Sequence, residues 1–307
     1  MKLPIYLDYN ATTPTDRRVL EAMLPYFSEH FGNASSKGHP YGWAADEAVE
    51  QARADVAALI GAQPREIVFT SGATEAANLA IKGAAEAYAS KGRHIVTTQV
   101  EHRAVLESCK SLERRGFTVT YVPVNADGVV EIDALAAALT DQTTIVAVMW
   151  ANNETGVMQP IPEINRVVRE RGALLMTDAT QAVGKVPVSV EHVDLLVCSA
   201  HKFYGPKGTG ALWIRQSRPR VRLLRLLDGG GHEGGLRAGT QNVPGIVGMG
   251  AAARIALEEL AGEQERLAAL RDRFEADLAR VLEGVQVQGK AAPRLPQTSS
   301  MTFKDVR

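Results

Sequence analysis

Seven short apolar segments alternate with helical segments between residues 66 and 214, and this alternation constrains the fold more than any other feature of the chain. The segments predicted as strands are Ile67–Thr70, His94–Thr98, Thr118–Val122, Thr144–Met149, Ala173–Thr177, Leu195–Ser199 and Gly210–Ile214. Nearly continuous apolar strands with helices between them predict a mostly parallel sheet that is covered on both faces. We therefore expect an α/β fold whose binding sites lie beyond the carboxyl ends of the strands.

Four segments with helical spacing of apolar residues are predicted as helices. They are Trp43–Ile60, Thr74–Lys91, Ala104–Arg115 and a long segment from Val243 to about Leu282. The second and third are expected to stop at Gly92 and Gly116, because glycine readily adopts the left-handed conformation that ends a helix.

The C-terminal part of the chain predicts a second, smaller unit. Only Val285–Val287 and Ser300–Phe303 resemble strands there, and two short strands cannot bury much core. We therefore expect a large domain at residues 16–258. Residues 1–15 and 259–307 are expected to form a small α/β domain that is incomplete after Arg307.

The composition narrows the possible partners. The 307 residues carry a net charge of −1, which gives no electrostatic argument for nucleic acid. No run approaches the roughly 18 apolar residues of a membrane span, so no membrane partner is expected. The two cysteines, Cys109 and Cys198, form neither a disulfide framework nor a metal-ligand set, and they suit a reducing cytoplasm.

A lysine and an aspartate follow neighbouring predicted strands. Asp178 lies at the end of one apolar strand, and Lys202 lies just past the next. This arrangement suits pyridoxal phosphate, because a lysine amine forms a Schiff base with the cofactor aldehyde and a carboxylate keeps the pyridine nitrogen protonated. Either residue alone would be an ordinary solvated lysine or a turn-forming aspartate.

A turn of small residues from Thr70 to Glu75 links a predicted strand to a predicted helix. Backbone amides and the positive end of a helix suit a phosphate group there, and the Thr74 hydroxyl adds a donor. Taken alone, an ordinary helix cap explains Ser71 and Thr74 better, because serine and threonine are favoured at caps.

Five further polar residues lie at or beyond the ends of predicted strands, at the same edge of the sheet. His102 could stack on a cofactor ring and transfer protons near neutral pH, although a lone histidine is more often structural. Asn153 and Gln181 could donate to a ring oxygen of the cofactor, and amides at strand ends also commonly form turns. Ser199 and His201 flank the lysine segment and could add phosphate contacts.

The glycine-rich stretch Asp228–Gly235 is the one compositional anomaly of the chain. It fits a flexible linker or a loop near an anion about equally well. If the loop reaches a twofold-related subunit, Thr240 completes the phosphate site of that subunit. The dimer would then be part of the catalytic unit.

Eight stretches of the chain occur in the order of one enzyme family. They are Tyr6–Pro14, Phe31–Asn33, Thr70–Glu75, Glu101–His102, Asn152–Glu154, Asp178–Gln181, Ser199–Gly208 and Gly229–Glu233. Together they closely resemble the cysteine desulfurases, which are pyridoxal phosphate enzymes of fold type I in the class V aminotransferase group. Each stretch alone would be weak, whereas the ordered set covers essentially the whole chain.

The resemblance implies a role for each matching position. Lys202 holds the cofactor and later removes the α-proton of the substrate. Asp178 pairs with the pyridinium and His102 stacks on the ring, while Asn153 and Gln181 contact the ring oxygen. The implied phosphate ligands are Ala73, Thr74, Ser199 and His201, with Thr240 contributed by the other subunit of a homodimer.

The resemblance also implies a reaction and a missing part. In this family L-cysteine becomes L-alanine, and a catalytic cysteine becomes a persulfide for a sulfur acceptor such as an iron–sulfur scaffold protein. That nucleophile must be a thiol that can ionise and move on a loop. Cys109, in a helix, and Cys198, in a core strand, are instead expected to be buried structural thiols. The family's cysteine loop and its substrate-binding arginine have no match here, so we expect a missing C-terminal segment and impaired persulfide formation.

Two other functions stay open at this point. Another class V activity, such as selenocysteine lyase or aminotransferase, uses the same lysine and aspartate without the cysteine loop. A degenerate scaffold that binds a partner without turnover is the non-enzymatic alternative. The retention of Lys202 with its whole surroundings argues against the scaffold.

Overall fold

A seven-stranded sheet forms the centre of the computed structural model, which describes residues 4–304. Its strands are β1 (Ile67–Thr70), β2 (His94–Thr98), β3 (Thr118–Val122), β4 (Thr143–Ala147), β5 (Leu174–Asp178), β6 (Leu195–Ser199) and β7 (Gly210–Ile214). The strand order is β1–β7–β6–β5–β4–β2–β3. Strand β7 runs antiparallel to both of its neighbours, and the other neighbouring pairs are parallel. The predicted mostly parallel α/β sheet is confirmed.

Eight α-helices accompany the sheet in the described part of the chain. They are α1 (Arg17–Met23), α2 (Pro25–Ser28), α3 (Pro40–Leu59), α4 (Ala73–Ala87), α5 (Arg103–Glu113), α6 (Ile132–Ala138), α7 (Ile161–Glu170) and α8 (Val243–Val281). Helix α3 begins before the predicted Trp43, because Pro40 suits a first helical turn and His39 caps the helix by accepting from the Gly42 amide over 3.2 Å. Between residues 4 and 304, no helix has the length and apolarity needed to cross a membrane.

Both faces of the sheet are buried, which explains the continuous apolar runs of its strands. On one face, Ile95 and Ile145 belong to the core that includes α4 and α5. On the other face, Val96 and Val146 belong to the core that includes α3, α7 and the start of α8. Because neighbouring residues of a strand point to opposite faces, each position in these strands meets a hydrophobic environment.

Strand β5 ends one residue later than predicted, and this shift matters for the site. The strand was expected to stop at Thr177, but it includes Asp178, which pairs with Val197 of β6. The polar side chain misled the sequence prediction, since aspartate is depleted in strands. Asp178 is therefore held by the sheet ladder.

Helix α8 extends without a break over 39 residues from the core to a C-terminal hairpin. The hairpin consists of β8 (Val285–Val287) and β9 (Met301–Phe303), which pair antiparallel. The boundary predicted between residues 258 and 259 falls inside this helix, and the division into a large and a small domain stays a prediction. Residues 1–3 and 305–307 of the predicted small domain lie outside the described residues.

Gly210 at the start of β7 leaves no space for a side chain. A Cβ atom there would lie 2.6 Å from the Cα and carbonyl carbon of Gly72 and 2.8 Å from the carbonyl oxygen of Cys198. We expect Gly210→Ala to lower the free energy of unfolding by about 1–3 kcal/mol, because the backbone around it must move. Urea unfolding measures this change.

The control for this variant is Gly262→Ala in helix α8. Gly262 is exposed, and a Cβ atom there would meet no heavy atom within 4 Å. Alanine favours a helix over glycine, so this variant should gain up to about 1 kcal/mol. If Gly210→Ala were as stable as the parent protein, the close approach of β7 to the Gly72 turn would be wrong.

Candidate active site

One cavity of about 750 Å³ lies at the edge of the sheet where the parallel strands end. The predicted site residues that line it are Ala73, Thr74, His102, Asn153, Asp178, Gln181, Ser199, His201 and Lys202. The structure thus brings together the whole predicted set except Thr240. Residues 8 and 10–12, near the N-terminus, also line this cavity.

Lys202 lies in a one-turn 3-10 helix, Ala200–Lys202, that directly follows β6. Its amine donates hydrogen bonds to the carbonyl oxygens of Asn10 and Ala11, the second over 3.0 Å. Burial lowers the pKa of Lys202, and the negative charges of nearby carboxylates offset this effect only in part. A lowered pKa increases the share of neutral amine, which is the form that attacks an aldehyde.

Asp178 lies at the end of β5, beside the strand that leads to Lys202. The residue is 6% exposed, and its Oδ1 accepts a hydrogen bond from the Thr180 amide over 3.0 Å. Among the carboxylates that raise the pKa of Lys202 against the effect of burial, Asp178 has the largest effect. A buried carboxylate at this place can pair with a protonated ring nitrogen.

The start of helix α4 lines one end of the cavity. Its N-cap residue is Gly72, with φ of +152°, and no side chain caps the helix. The interpretation of Ser71 and Thr74 as an ordinary side-chain cap is therefore wrong. The helix start offers its backbone amides and the Thr74 hydroxyl to an anion in the cavity.

His201 contributes a neutral imidazole next to the lysine. Burial and the positive charges of two neighbouring lysines lower the pKa of His201 to about 4. Its Nδ1 lies 3.1 Å from the Thr12 hydroxyl oxygen. At neutral pH the ring therefore carries one donor and one acceptor, and Ser199 adds a hydroxyl from the last position of β6.

The turn between β2 and α5 presents His102 and buries Glu101. The Nδ1 atom of His102 accepts from the Ala104 amide over 3.1 Å, so the proton of the neutral ring lies on Nε2. The Oε1 atom of Glu101 accepts from the Thr98 hydroxyl and from the Met149 amide, both over 2.8 Å. Burial raises the pKa of Glu101 to about 8. Through its two hydrogen bonds, the Glu101 carboxyl group connects the end of β2 to the residues that follow β4, beside His102.

An N-terminal segment forms one wall of the cavity, and sequence reasoning assigned it no chemical role. The Gln181 amide nitrogen donates to the carbonyl oxygen of Asn10 over 3.0 Å. The side chain of Asn10 donates to the carbonyl oxygen of Asn153 over 3.1 Å. The only sequence signal for this wall was the motif Tyr6–Pro14, which carried the family resemblance.

Thr240 is exposed and lies outside the cavity lining. The glycine-rich stretch before it is anchored, because buried Glu233 forms a 2.8 Å salt bridge with Arg53. Arg237 donates to Glu75, in the first turn of α4, over 2.9 Å. The stretch is therefore an ordered loop held against the start of α4, which contradicts the flexible-linker interpretation.

Both cysteines are buried and absent from the cavity lining, which confirms that they are structural thiols. Burial raises the pKa of Cys109 and of Cys198 to about 12. A protonated, enclosed thiol is a poor nucleophile. Within residues 4–304, no cluster of three histidine, cysteine or acidic side chains could hold a metal ion.

The residues around the cavity fit pyridoxal phosphate. When bound, this cofactor supplies an aldehyde that condenses with amines and a pyridine ring that withdraws electrons. Lys202 offers the amine, Asp178 the carboxylate, and the start of α4 the donors for a phosphate. The Thr180 hydroxyl lines the cavity and is buried without a hydrogen-bond partner among the described residues, which leaves one more polar group for a ligand.

A family model, a curated relative and solved structures all place the chain in one family. Residues 5–307 match the family model described as aminotransferase class-V. A cysteine desulfurase IscS from Anaeromyxobacter sp. (strain Fw109-5) is 57% identical over 305 residues, which are 99% of this chain and 75% of that protein. A solved NifS-like protein has a TM-score of 0.94 and 42% identity, over 99% of this chain and 83% of that one. SspA, solved in complex with cysteine, has a TM-score of 0.88 and 38% identity, over 98% and 84%.

Glu101 makes the stability of the protein depend on pH. Its folded-state pKa of about 8 lies above the ordinary value of 4.5, so folding favours the protonated form, and stability is lost as pH rises from about 4.5 to about 8. Glu101→Gln cannot ionise. Relative to the parent protein, we expect it to gain on the order of 1.4 kcal/mol per pH unit in this window.

Urea unfolding at several pH values tests this dependence. Glu131→Gln is the matched control, because Glu131 is exposed at the start of α6 and its side chain makes no capping hydrogen bond. Its stability should follow that of the parent at each pH. Parallel curves for Glu101→Gln and the parent would rule out a protonated Glu101.

Proposed function

The chain belongs to the cysteine desulfurases of the class V aminotransferase family, and we propose that its cavity binds pyridoxal phosphate and L-cysteine through the residues described above. This family depends on pyridoxal phosphate and has fold type I, which agrees with the sheet order found here. The observation that carries the proposal is that Lys202, Asp178 and the start of α4 line one cavity.

Each wall of the cavity has a separate task in this proposal. The Lys202 amine would hold the cofactor through its aldehyde and, once the substrate amine has displaced it, would accept the α-proton of the substrate. Asp178 holds the proton of the ring nitrogen, and His102 stacks on the ring with its proton on Nε2. The side-chain amides of Asn153 and Gln181 each use one hydrogen in a protein contact and have a second for the ring oxygen.

The amides at the start of α4 and the turn after β6, with its neutral His201, would together hold the phosphate group. The proposed ligands are Ala73, Thr74, Ser199 and His201, with Thr240 of the partner subunit. Neutral His201 can donate one hydrogen bond to a phosphate oxygen without adding a charge. The positive end of a 15-residue helix favours the anion electrostatically.

Replacing Lys202 tests the covalent link. We expect the parent protein to show an absorbance band near the visible edge after pyridoxal phosphate is added. Borohydride trapping and peptide mapping should then place the label on Lys202. Lys202→Ala should give neither band nor label, because it removes the amine that follows the strand beside Asp178, and Lys207, which also lines the cavity, does not replace it.

Lys91→Ala is the control for this experiment. Burial also lowers the pKa of Lys91, but this lysine does not line the cavity and instead donates to backbone carbonyls at residues 171 and 172. Band and label should persist in this variant. A label that maps to another lysine of the parent protein would refute the proposed site.

The sulfur chemistry can be tested separately from cofactor binding. With pyridoxal phosphate, L-cysteine and a reductant, we expect the 307-residue chain to release sulfide well below roughly 0.1 per second. The reason is that both of its thiols are buried and protonated. Cys109→Ala and Cys198→Ala should leave this low rate unchanged. Release above that rate would show that these residues suffice for sulfur transfer.

The assembly and the partners are part of the proposal. We propose a homodimer, and the anchored loop that ends at exposed Thr240 supports it, since the loop is fastened beside the phosphate end of its own chain. We also propose that sulfur passes to an acceptor such as an iron–sulfur scaffold protein in the cytoplasm. The two unpaired cysteines suit that reducing compartment.

The alternatives considered from the sequence have less support. The close relative is named a cysteine desulfurase, and SspA was solved with cysteine, which favours desulfuration over selenocysteine lyase or aminotransferase activity. The scaffold hypothesis is also disfavoured, because the lysine, the carboxylate and the anion-binding helix start converge on one cavity.

A further inference from the structure

The turn that carries Lys202 is held at both ends by one hydroxyl group. Oγ1 of Thr13 donates to the carbonyl oxygen of His201 over 3.0 Å and accepts from the Tyr204 amide over 2.9 Å. The Thr13 amide donates to the same His201 oxygen over 3.0 Å. Thr13 is 1% exposed, so water does not compete for these bonds.

Tyr204 is the residue of this turn that most needs support. Its φ of +65° is a left-handed conformation that residues other than glycine rarely adopt. Besides the bond to Thr13, its carbonyl oxygen accepts from the Asp16 amide over 2.9 Å, and the Lys185 amine lies 4.2 Å from its ring centroid. If Tyr204 relaxed to a right-handed conformation, the backbone at Lys202 would shift with it.

We propose that Thr13 is a positioning residue for Lys202, because its hydroxyl brackets the turn from His201 to Tyr204 and so keeps the lysine amine inside the cavity. The inference rests on the proposed function, which assigns the cofactor link to Lys202. The proposal gives a role to Thr13 although Thr13 does not line the cavity.

The N-terminal segment also accepts hydrogen bonds from the Lys202 amine. Lys202 donates to the carbonyl oxygens of Asn10 and Ala11, which precede Thr13 in the same segment. Thr13 therefore fixes the turn and, through the backbone, the acceptors that hold the amine before the cofactor binds. Loss of the Thr13 hydroxyl therefore loosens both the turn that carries the Lys202 amine and the N-terminal segment whose carbonyl oxygens accept from it.

A looser turn changes the proton affinity of the amine. The charged and titratable groups that line the same cavity are Asp8, Glu75, His102, Glu154, Asp178, His201 and Lys207. None of them changes when Thr13 is replaced. More water at the amine moves the pKa of Lys202 back up, and link formation then needs a higher pH, because only the neutral amine attacks.

The experiment compares Thr13→Val, which has the same shape without the hydroxyl, with Thr13→Ser, which keeps the hydroxyl. Pyridoxal phosphate is added to cofactor-free protein, and the absorbance band of the lysine link is followed from neutral to alkaline pH. We expect Thr13→Val to form the link about fivefold more slowly at neutral pH, with a midpoint about half a unit higher. Thr13→Ser should behave like the parent.

Thr144→Val is the matched control. Thr144 is also buried, and its hydroxyl donates to the carbonyl oxygen of His94 over 3.3 Å at the amino end of β4. This variant should keep the parent rate and pH midpoint even if its melting temperature falls. If Thr13→Val also lost only stability and kept both values, Thr13 would have a structural role alone and the proposal would be overturned.

A measurement on the unmodified protein decides the matter if Thr13→Val does not fold. The Tyr204 amide of the cofactor-free protein should be strongly protected from hydrogen exchange. Exchange as fast as in an exposed loop would show that Thr13 does not hold this turn, and the proposal would be overturned. This measurement also distinguishes failure of the proposed function from failure of the proposed role of Thr13. Absence of any lysine link in the parent protein would refute the proposed function, whereas the exchange rate still tests Thr13.

Discussion

The parallel pairing of β5 with β6 is the constraint on which the site depends. It sets Asp178 against Val197, so the carboxylate lies beside the strand that leads into the Lys202 turn. A shift of the pairing by one residue would turn Asp178 toward the opposite face of the sheet. Because both faces of these strands are apolar and buried, the packing on each side opposes such a shift.

Removal of water acts in the same way on three different groups at this edge of the sheet. Burial lowers the pKa of Lys202, lowers that of His201 to about 4 and raises that of Glu101 to about 8. Each shift favours the neutral form, whatever the sign of the charged form. Neutral groups can form hydrogen bonds in the cavity without adding a charge, and such perturbed pKa values are typical of catalytic sites.

The parts of the molecule that follow local patterns could be predicted from the sequence. Strands buried on both faces leave apolar runs. The expected glycine stops were right only in part: Gly116, with φ of +82°, follows the end of α5 at Glu113, whereas α4 already ends at Ala87, and Gly92 is not left-handed. The start of α3 was missed because a histidine is an uncommon cap. The glycine cap of α4 was also hidden, because neighbouring Ser71 and Thr74 offered a more familiar pattern.

The wall formed by the N-terminal segment could not be predicted from local sequence. Its residues have neither helical nor strand spacing, and their meaning comes from partners far along the chain. The Thr13 hydroxyl meets a carbonyl group 188 residues away, and Asn10 meets Gln181 and Asn153. Only the three-dimensional structure brings those partners together.

The position of β7 between β6 and β1 has a consequence for how the protein is made. Ile67 of β1 pairs with Trp213 of β7, so the first strand to leave the ribosome waits for the last strand of the sheet. Closing so long a loop is slow, and the edge of β1 stays unpaired until synthesis has passed that point. The Gly72 turn, which follows β1 and lines the cavity, therefore meets its neighbour Gly210 only after nearly the whole sheet has been synthesised.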